Sequence, residues 1–323
     1  MSNTKLRVIT GTVYFAILVG VFCLKIFVHY LFFDALILLF NIIGTYEMLR
    51  AFGDKMHRSQ KILVMVFTIL VMLTYIVMDY VYIDHLQVKF PTPGETPVGR
   101  NYATQIMLVV FVAGISALFG MLVFAHTRVS LESLGYSFIC YFYPTVFLIV
   151  LVVCNHLTYY SGVAVAFVFG ISPCADCMAY AVGKTFGKKL PLKMAPNVSP
   201  NKTVIGGLGG LLGGAIGAVC VFFVYYAFCK PIDTWHLTGV LDFSNIYFRW
   251  DNLVLFLGIG ILASAFSQFG DLVESAIKRK LGIKDMGNIL PGHGGVLDRI
   301  DSSLYAGLVI ALVFVVRLMI AGS

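Results

Sequence analysis

The sequence predicts an all-α, polytopic membrane protein with about nine transmembrane helices, its N-terminus inside and its C-terminus outside. Three observations predict this. Of 323 residues, 59% are hydrophobic and only 12% are charged. The mean hydropathy is +0.90. The apolar residues fall into runs of about 17–25, the length a bilayer core demands of a helix, separated by short polar stretches.

In chain order the expected spans are Val8–Val28, Tyr30–Met48, Ile62–Ile83, Thr104–Ala125, Tyr136–Cys154, Tyr159–Val182, Val204–Cys229, Leu253–Phe269 and Ser303–Ile320. The first run is long enough to span, and no small-residue cleavage site follows it, so it is expected to remain as a helix. Most of the 23 Lys and Arg then fall on segments of one side, which fixes the orientation by the positive-inside rule. The net charge of +7 follows from that topology and attraction to anionic lipid.

Residues 1–155 read as a transmembrane scaffold region, and 156–323 as a transmembrane catalytic region with two cytoplasmic loops. One longer loop of the first half, from His85 to Tyr102, is expected outside. Asp34, Asn41 and Asp79 are costly in lipid. Asp34 and Asp79 lie near span ends and are expected to snorkel to the interface. The seven Cys are an odd number scattered through apolar runs, most read as small buried hydrophobes. Cys174 and Cys177 have C-x-x-C spacing, but no second pair or nearby His completes a zinc site.

The two inside loops, Gly183–Thr203 and Lys278–Ser302, concentrate Lys, Gly, Pro, Asn and Asp. From Leu253 to Asp271 a helix rises about 27 Å, so Asp271 belongs at the cytoplasmic edge. Asp271, Ser275 and Lys278 share one helical stripe, Ser267 continues it one turn deeper, and Glu274 and Arg279 flank it. A carboxylate beside hydroxyls and cations suits a divalent metal and phosphate oxygens. On this helix alone, an ordinary interface reading weighs equally.

The following stretch tips the balance. In "LPGHGG", Leu290–Gly295, a Pro and three Gly sit within six residues around His293. Gly permits positive φ and close backbone approach, and its N–H groups can line an anion nest. Asp298 and Asp301 follow at the start of the ninth span. Asp301 is expected to cap that helix with Ser302, which leaves Asp298 as the second carboxylate for Mg2+ beside Asp271. In the other loop, Gly183-Lys184-Thr185 resembles a P-loop end, but Met178 stands where its first Gly is required. Lys202 and Thr203 precede the seventh span, where a cation and a helix N-terminus can hold phosphate. The glycines from Gly206 to Gly217 repeat at G-x-x-x-G spacing and are expected to pack helices closely.

The stretch Ser275–Asp301 resembles the phosphatidate cytidylyltransferase (CDP-diacylglycerol synthase) family. Every fixed element of that family's pattern is present: Ser275, Lys278-Arg279, Lys284-Asp285, Pro291, His293-Gly294-Gly295, Asp298-Arg299 and Asp301. Gly270-Asp271-Leu272 with Glu274 is similar as well. In the other loop Asp176, Ala179, Tyr180, Ser199, Pro200, Lys202, Thr203 and Gly206 match, while Cys177, Lys184 and Ile205 replace a hydroxyl residue, an Arg and a Glu. The first half matches only as a multi-span region.

The resemblance implies that CTP and phosphatidic acid give CDP-diacylglycerol and pyrophosphate, with Mg2+. It implies Asp271 and Asp298 as metal carboxylates. Lys278, Arg279, Lys202 and Arg299 would neutralise phosphate. Ser199, Thr203, Ser275, His293 and Gly294 would hydrogen-bond substrate, and Asp176 and Asp301 would contact metal or nucleotide. The expected partners are CTP, phosphatidic acid and the lipid bilayer, with a homodimer as a further expectation and no nucleic acid. The expected location is a bacterial cell membrane with the site facing the cytoplasm. Two competitors carry other expectations. A CTP-dependent polyprenol or dolichol kinase shares part of the S-P-x-K-T region, and a transporter would show repeats and mid-membrane polar residues.

Overall fold

A computed structural model describes residues 3–81, 102–157, 160–228 and 250–321. Among these, nine helices are long and apolar enough to cross a membrane. They are α1 (Asn3–Phe27), α2 (Leu31–Ala51), α3 (Arg58–Tyr80), α4 (Ala103–Phe124), α5 (Leu131–Asn155), α6 (Ser161–Phe186), α7 (Val204–Phe228), α8 (Trp250–Leu281) and α9 (Leu297–Ala321). The nine expected spans are all present. The loop from His85 to Tyr102 lies outside the described residues except for Tyr102, as do the expected boundaries Tyr159, Ile83 and Cys229.

The boundaries differ where polar residues extend a helix beyond its apolar run. α3 starts at Arg58 because His57 and Gln60 form a reciprocal capping box. α6 runs on past Val182 to Phe186, while α8 continues to Leu281 and α9 begins already at Leu297. Between α6 and α7 a short antiparallel hairpin, β1 (Lys193–Ala195) and β2 (Ser199–Thr203), replaces the expected loop.

The helices alternate in direction, so the bundle has two polar ends. One end gathers the C-termini of α2, α6 and α8 with the N-termini of α1, α7 and α9. At the opposite end Asp34 and Asp79 do not snorkel. They turn inward and hold His156 between them: Asp34 Oδ2 lies 2.8 Å from Nε2, and Asp79 Oδ2 contacts Nδ1. Asn155 Nδ2 donates to Asp34 Oδ1 at 2.7 Å, and Lys25 Nζ donates to Asn155 Oδ1 at 2.5 Å. Two acids and two bases satisfy one another inside the protein, which costs less than carrying each charge along a lipid-facing surface. Asn41 donates to the carbonyl of Thr68 at 3.3 Å, tying α2 to α3.

Glycine decides how α7 sits. Gly210 and Gly214 face Gln268, Ser264 and Gly260 of α8, while Gly209, Gly213 and Gly217 face Val182, Met178 and Cys174 of α6. Two stripes of missing side chains thus let α7 wedge between α6 and α8 at backbone distance. Ser264 Oγ donates to the Gly210 carbonyl at 2.7 Å, and Gln268 Nε2 to that of Gly207 at 3.2 Å. α6 and α8 consequently end side by side. The cysteines depart from expectation: Cys140 and Cys154 are buried, but Cys23, Cys177 and Cys220 are exposed, and all the described cysteines are free.

Candidate functional site

The site lies where α6 and α8 end and α7 and α9 begin. Asp271, Ser275 and Lys278 share one face of α8, as their spacing predicts, and Ser275 Oγ donates to Asp271 Oδ1 at 3.3 Å. The hairpin brings Lys202 over this face, where it pairs with Asp271. Asp271 and Lys202 are each partly exposed, with side-chain exposures of 27% and 29%. Gly270 packs against α9 so closely that a Cβ there would lie 2.7 Å from the Asp301 carbonyl oxygen. Asp271 and Asp301 therefore approach from facing helices. Asp176 on α6 is exposed, yet within electrostatic reach of Asp271, Asp301, Lys202 and Arg299. It thereby links α6 electrostatically to α8, α9 and the hairpin.

A second layer holds the first. Lys278 Nζ donates to Glu274 Oε1 at 3.2 Å and to Asp298 Oδ1 at 2.7 Å, joining α8 to α9. Arg279 Nε donates to the Val198 carbonyl at 3.2 Å and Nη1 to that of Ile283 at 3.3 Å, pinning the hairpin to the end of α8. Thr203 Oγ1 accepts from the Gly206 N–H at 3.1 Å and so caps α7. Ser199 opens β2, paired with Ala195 and partly exposed. Arg299 is exposed at the first turn of α9.

The loop before α9 differs from the sequence expectation in two ways. Asp298, not Asp301, binds its backbone: Oδ2 accepts from the N–H groups of Met286 and Gly295, each at 2.8 Å. Asp301 Oδ1 accepts from the adjacent Ser302 N–H, at 2.7 Å. The reversal follows from the loop folding back over the start of α9, which sets Asp298 beneath it. The expected anion nest is also closed from within. His293 and Gly294 donate to the Leu290 carbonyl, Gly295 to Asp298, and Val296 and Leu297 to Glu47 of α2. Gly292 and Gly294 do take positive φ, 77° and 90°, and close the turn around His293.

The first half contributes more than the sequence suggested. Glu47 reaches the loop from α2, and Arg50 Nη1 donates to Asn288 Oδ1 at 3.3 Å. Thr10 Oγ1 donates to the Pro291 carbonyl at 3.0 Å, and Gly11 leaves room for the His293 ring, whose Cε1 would lie 3.5 Å from a Cβ there. The available signal for Glu47 was an ionisable residue inside an apolar run, a functional marker by default.

The donor atoms suit a hard divalent cation. They are all oxygens: the carboxylates of Asp271, Asp301 and Asp176, with the buried Ser267 Oγ, Glu274 Oε2 and Tyr143 hydroxyl lacking hydrogen-bond partners among the described residues. Among those residues no three acidic, His or Cys side chains converge to cage an ion by themselves. Mg2+ usually needs only one or two carboxylates, completing its shell with water and substrate phosphate. The residues therefore fit it.

The model of the "Cytidylyltransferase family" matches residues 5–317. Proteins named phosphatidate cytidylyltransferase are similar: one from Staphylococcus aureus (strain COL) is 39% identical over 130 residues, 40% of each chain. One from Bacillus subtilis (strain 168) is 43% identical over 130 residues, 40% of this chain and 39% of the relative. One from Staphylococcus saprophyticus is 40% identical over 141 residues, 44% and 45% of the two chains. Each alignment thus spans less than half of either partner.

Proposed function

This chain belongs to the cytidylyltransferase family, and we propose that it transfers the cytidylyl group of CTP to phosphatidic acid, giving CDP-diacylglycerol and pyrophosphate. One observation carries the reading beyond family. Asp176 lies within electrostatic reach of two further carboxylates, Asp271 and Asp301, and of two cations, Lys202 and Arg299, at one end of a membrane bundle, and Lys202 pairs with Asp271. A soluble nucleotide and a lipid headgroup can both reach that level.

In the proposed reaction a phosphate oxygen of phosphatidic acid attacks the α-phosphorus of CTP. The bond from that phosphorus to the oxygen bridging the α and β positions breaks, and pyrophosphate leaves with the electron pair. The nucleophile is already anionic at neutral pH, so no strong base is needed. The obstacle is repulsion between two anions, and positioned cations are how proteins reduce it. Lys202 and Arg299 are accessible and serve as the phosphate clamps. Lys278 and Arg279 act from behind, holding Asp298 and the hairpin respectively. Ser199, Ser275 and His293 serve as hydrogen-bonding groups for substrate, while Thr203 and Gly294 fix the backbone on which Lys202 and His293 stand. Asp271 offers the accessible carboxylate for Mg2+, with Asp301 and Asp176 beside it. Asp298 contributes through the loop and Lys278. When bound, the ion would supply charge neutralisation at the phosphate oxygens.

The same reading puts this end of the bundle in the cytoplasm of a bacterial cell. Lys184, Lys188, Lys189 and Lys193 cluster there, in accord with the positive-inside rule, and the named relatives are bacterial. The test is purified protein in detergent with CTP, phosphatidic acid and Mg2+. Release of pyrophosphate together with a nucleotide-bearing lipid supports the proposal, and CTP left unconsumed rejects it.

A further inference from the structure

We propose that Glu47 is a positioning residue for this reaction, and that Gly287 and Gly295 are glycines because its carboxylate occupies the space a side chain would need. The inference rests on the functional reading above and adds to it a residue of the first half of the chain.

Glu47 is 1% exposed near the end of α2. Its two oxygens divide between two donors: Oε1 accepts from the Val296 N–H at 3.0 Å and Oε2 from the Leu297 N–H at 2.9 Å. These N–H groups belong to the start of α9, where the first turn has no partners within its own helix. A carboxylate there also meets the positive end of the helix dipole. Glu47 therefore caps α9 from another helix, 249 residues away in the chain.

The glycines supply the second observation. Neither Gly287 nor Gly295 has positive φ, so their backbones would accept an ordinary residue. What excludes one is Glu47. For a Cβ at Gly295 the three nearest atoms are Oε2, Cδ and Oε1 of Glu47, at 2.6, 2.7 and 2.7 Å. For a Cβ at Gly287 the three nearest atoms again all belong to Glu47. The loop thus folds around this carboxylate from both sides. Gly292 and Gly294 differ, since their positive φ answers to the turn itself.

The consequence reaches the site through the loop. Gly295 also donates to Asp298, whose other oxygen binds Lys278. Arg299 stands on the first turn that Glu47 caps, Asp301 follows just beyond it, and His293 lies two residues before Gly295. Displacing the carboxylate moves these groups together. A misplacement of about 1 Å among reacting groups costs on the order of 100-fold in rate.

The test is a double-mutant cycle on the detergent-purified full chain, read by steady-state kinetics and by hydrogen exchange at residues 293–300. Glu47→Gln keeps the shape and loses one of the two bonds. It is expected to speed exchange across that segment and lower kcat by about tenfold or more, with KM for CTP changed by less than about threefold. Gly295→Ala is expected to do likewise in the parent protein and to add little once Glu47 is Ala. Parent-like exchange in Glu47→Gln overturns the proposal. So does a Gly295→Ala penalty of equal size with and without Glu47, because the glycine would then answer to something else. If the parent protein itself transfers no cytidylyl group, the functional reading fails separately, and the exchange cycle still decides whether Glu47 holds the loop.

Discussion

Lys278 Nζ lies 2.7 Å from Asp298 Oδ1, a contact between residues 20 apart in the chain that fastens the end of α8 to the start of α9. Asp298 and Glu274, the other partner of Lys278, are both buried, with 3% and 0% of their side chains exposed. Removing the cation leaves the buried Asp298 carboxylate, with the Glu274 side chain beside it, without its compensating charge. Lys278→Met is therefore expected to lower stability by about 3 kcal/mol or more, as when one partner of a buried ion pair is lost, and to abolish turnover. Thermal unfolding in detergent, run alongside the activity assay, checks both.

Lys202 and Asp271 make the opposite case. Their pair is partly open to solvent, so its worth to stability is below about 1 kcal/mol. If Lys202 clamps phosphate, Lys202→Met should melt like the parent yet lose about 100-fold in kcat/KM, the scale of removing one positioned charge donor. Asp271→Asn should also melt normally and lose its response to added Mg2+. An inactive Lys202→Met that is also severely unstable would assign the residue to structure instead.

The far end of the bundle predicts a pH effect. Burial alone would lower the pKa of His156, but the hydrogen bonds and charges of Asp34 and Asp79 outweigh it and push it up to about 9 from 6.5. Tyr30 and Tyr75 cover the ring, and Lys25 joins the cluster through Asn155. A raised pKa in the folded state stabilises below the unfolded value and fades as pH rises through the folded one. The protein should thus be steady below about pH 6.5 and lose a few kcal/mol, in order of magnitude, as pH climbs through about 9. Melting temperatures across that window check this. In Asp34→Asn/Asp79→Asn the decline should flatten.

Close packing of α7 gives a further test. A Cβ at Gly214 would collide with Ser264 and with the Gly260 carbonyl oxygen of α8. Gly214→Val should force α7 and α8 apart, costing about 1–3 kcal/mol as overpacking does, and weaken turnover because Asp271 stands on α8 and Lys202 on β2, which leads directly into α7. Gly258, with nothing within 4 Å of a Cβ, provides the control: Gly258→Ala should leave both properties unchanged.

The spans were legible because lipid imposes a length and a composition on each one, and all nine expected runs are helices. The stripe of Asp271, Ser275 and Lys278 was legible because helical periodicity is local. Partnerships across the fold were not. Asp298 and Asp301 sit three residues apart with the same chemistry, and only the path of the loop decides which one meets Met286 and Gly295. Likewise Asp34 and Asp79 looked like interface residues until His156, far along the chain, filled the space between them. The glycines of the loop read as room for a ligand, yet at Gly295 the occupant is Glu47.

The central claim is that the α-phosphorus of CTP is the atom transferred. The most direct measurement supplies the purified protein with phosphatidic acid, Mg2+ and CTP labelled at either the α or the γ phosphorus, then separates lipid from water-soluble products. Cytidylyl transfer predicts α label in the lipid and γ label in pyrophosphate. Label from the γ position in the lipid, with CDP released, would identify a CTP-dependent lipid kinase and contradict the account.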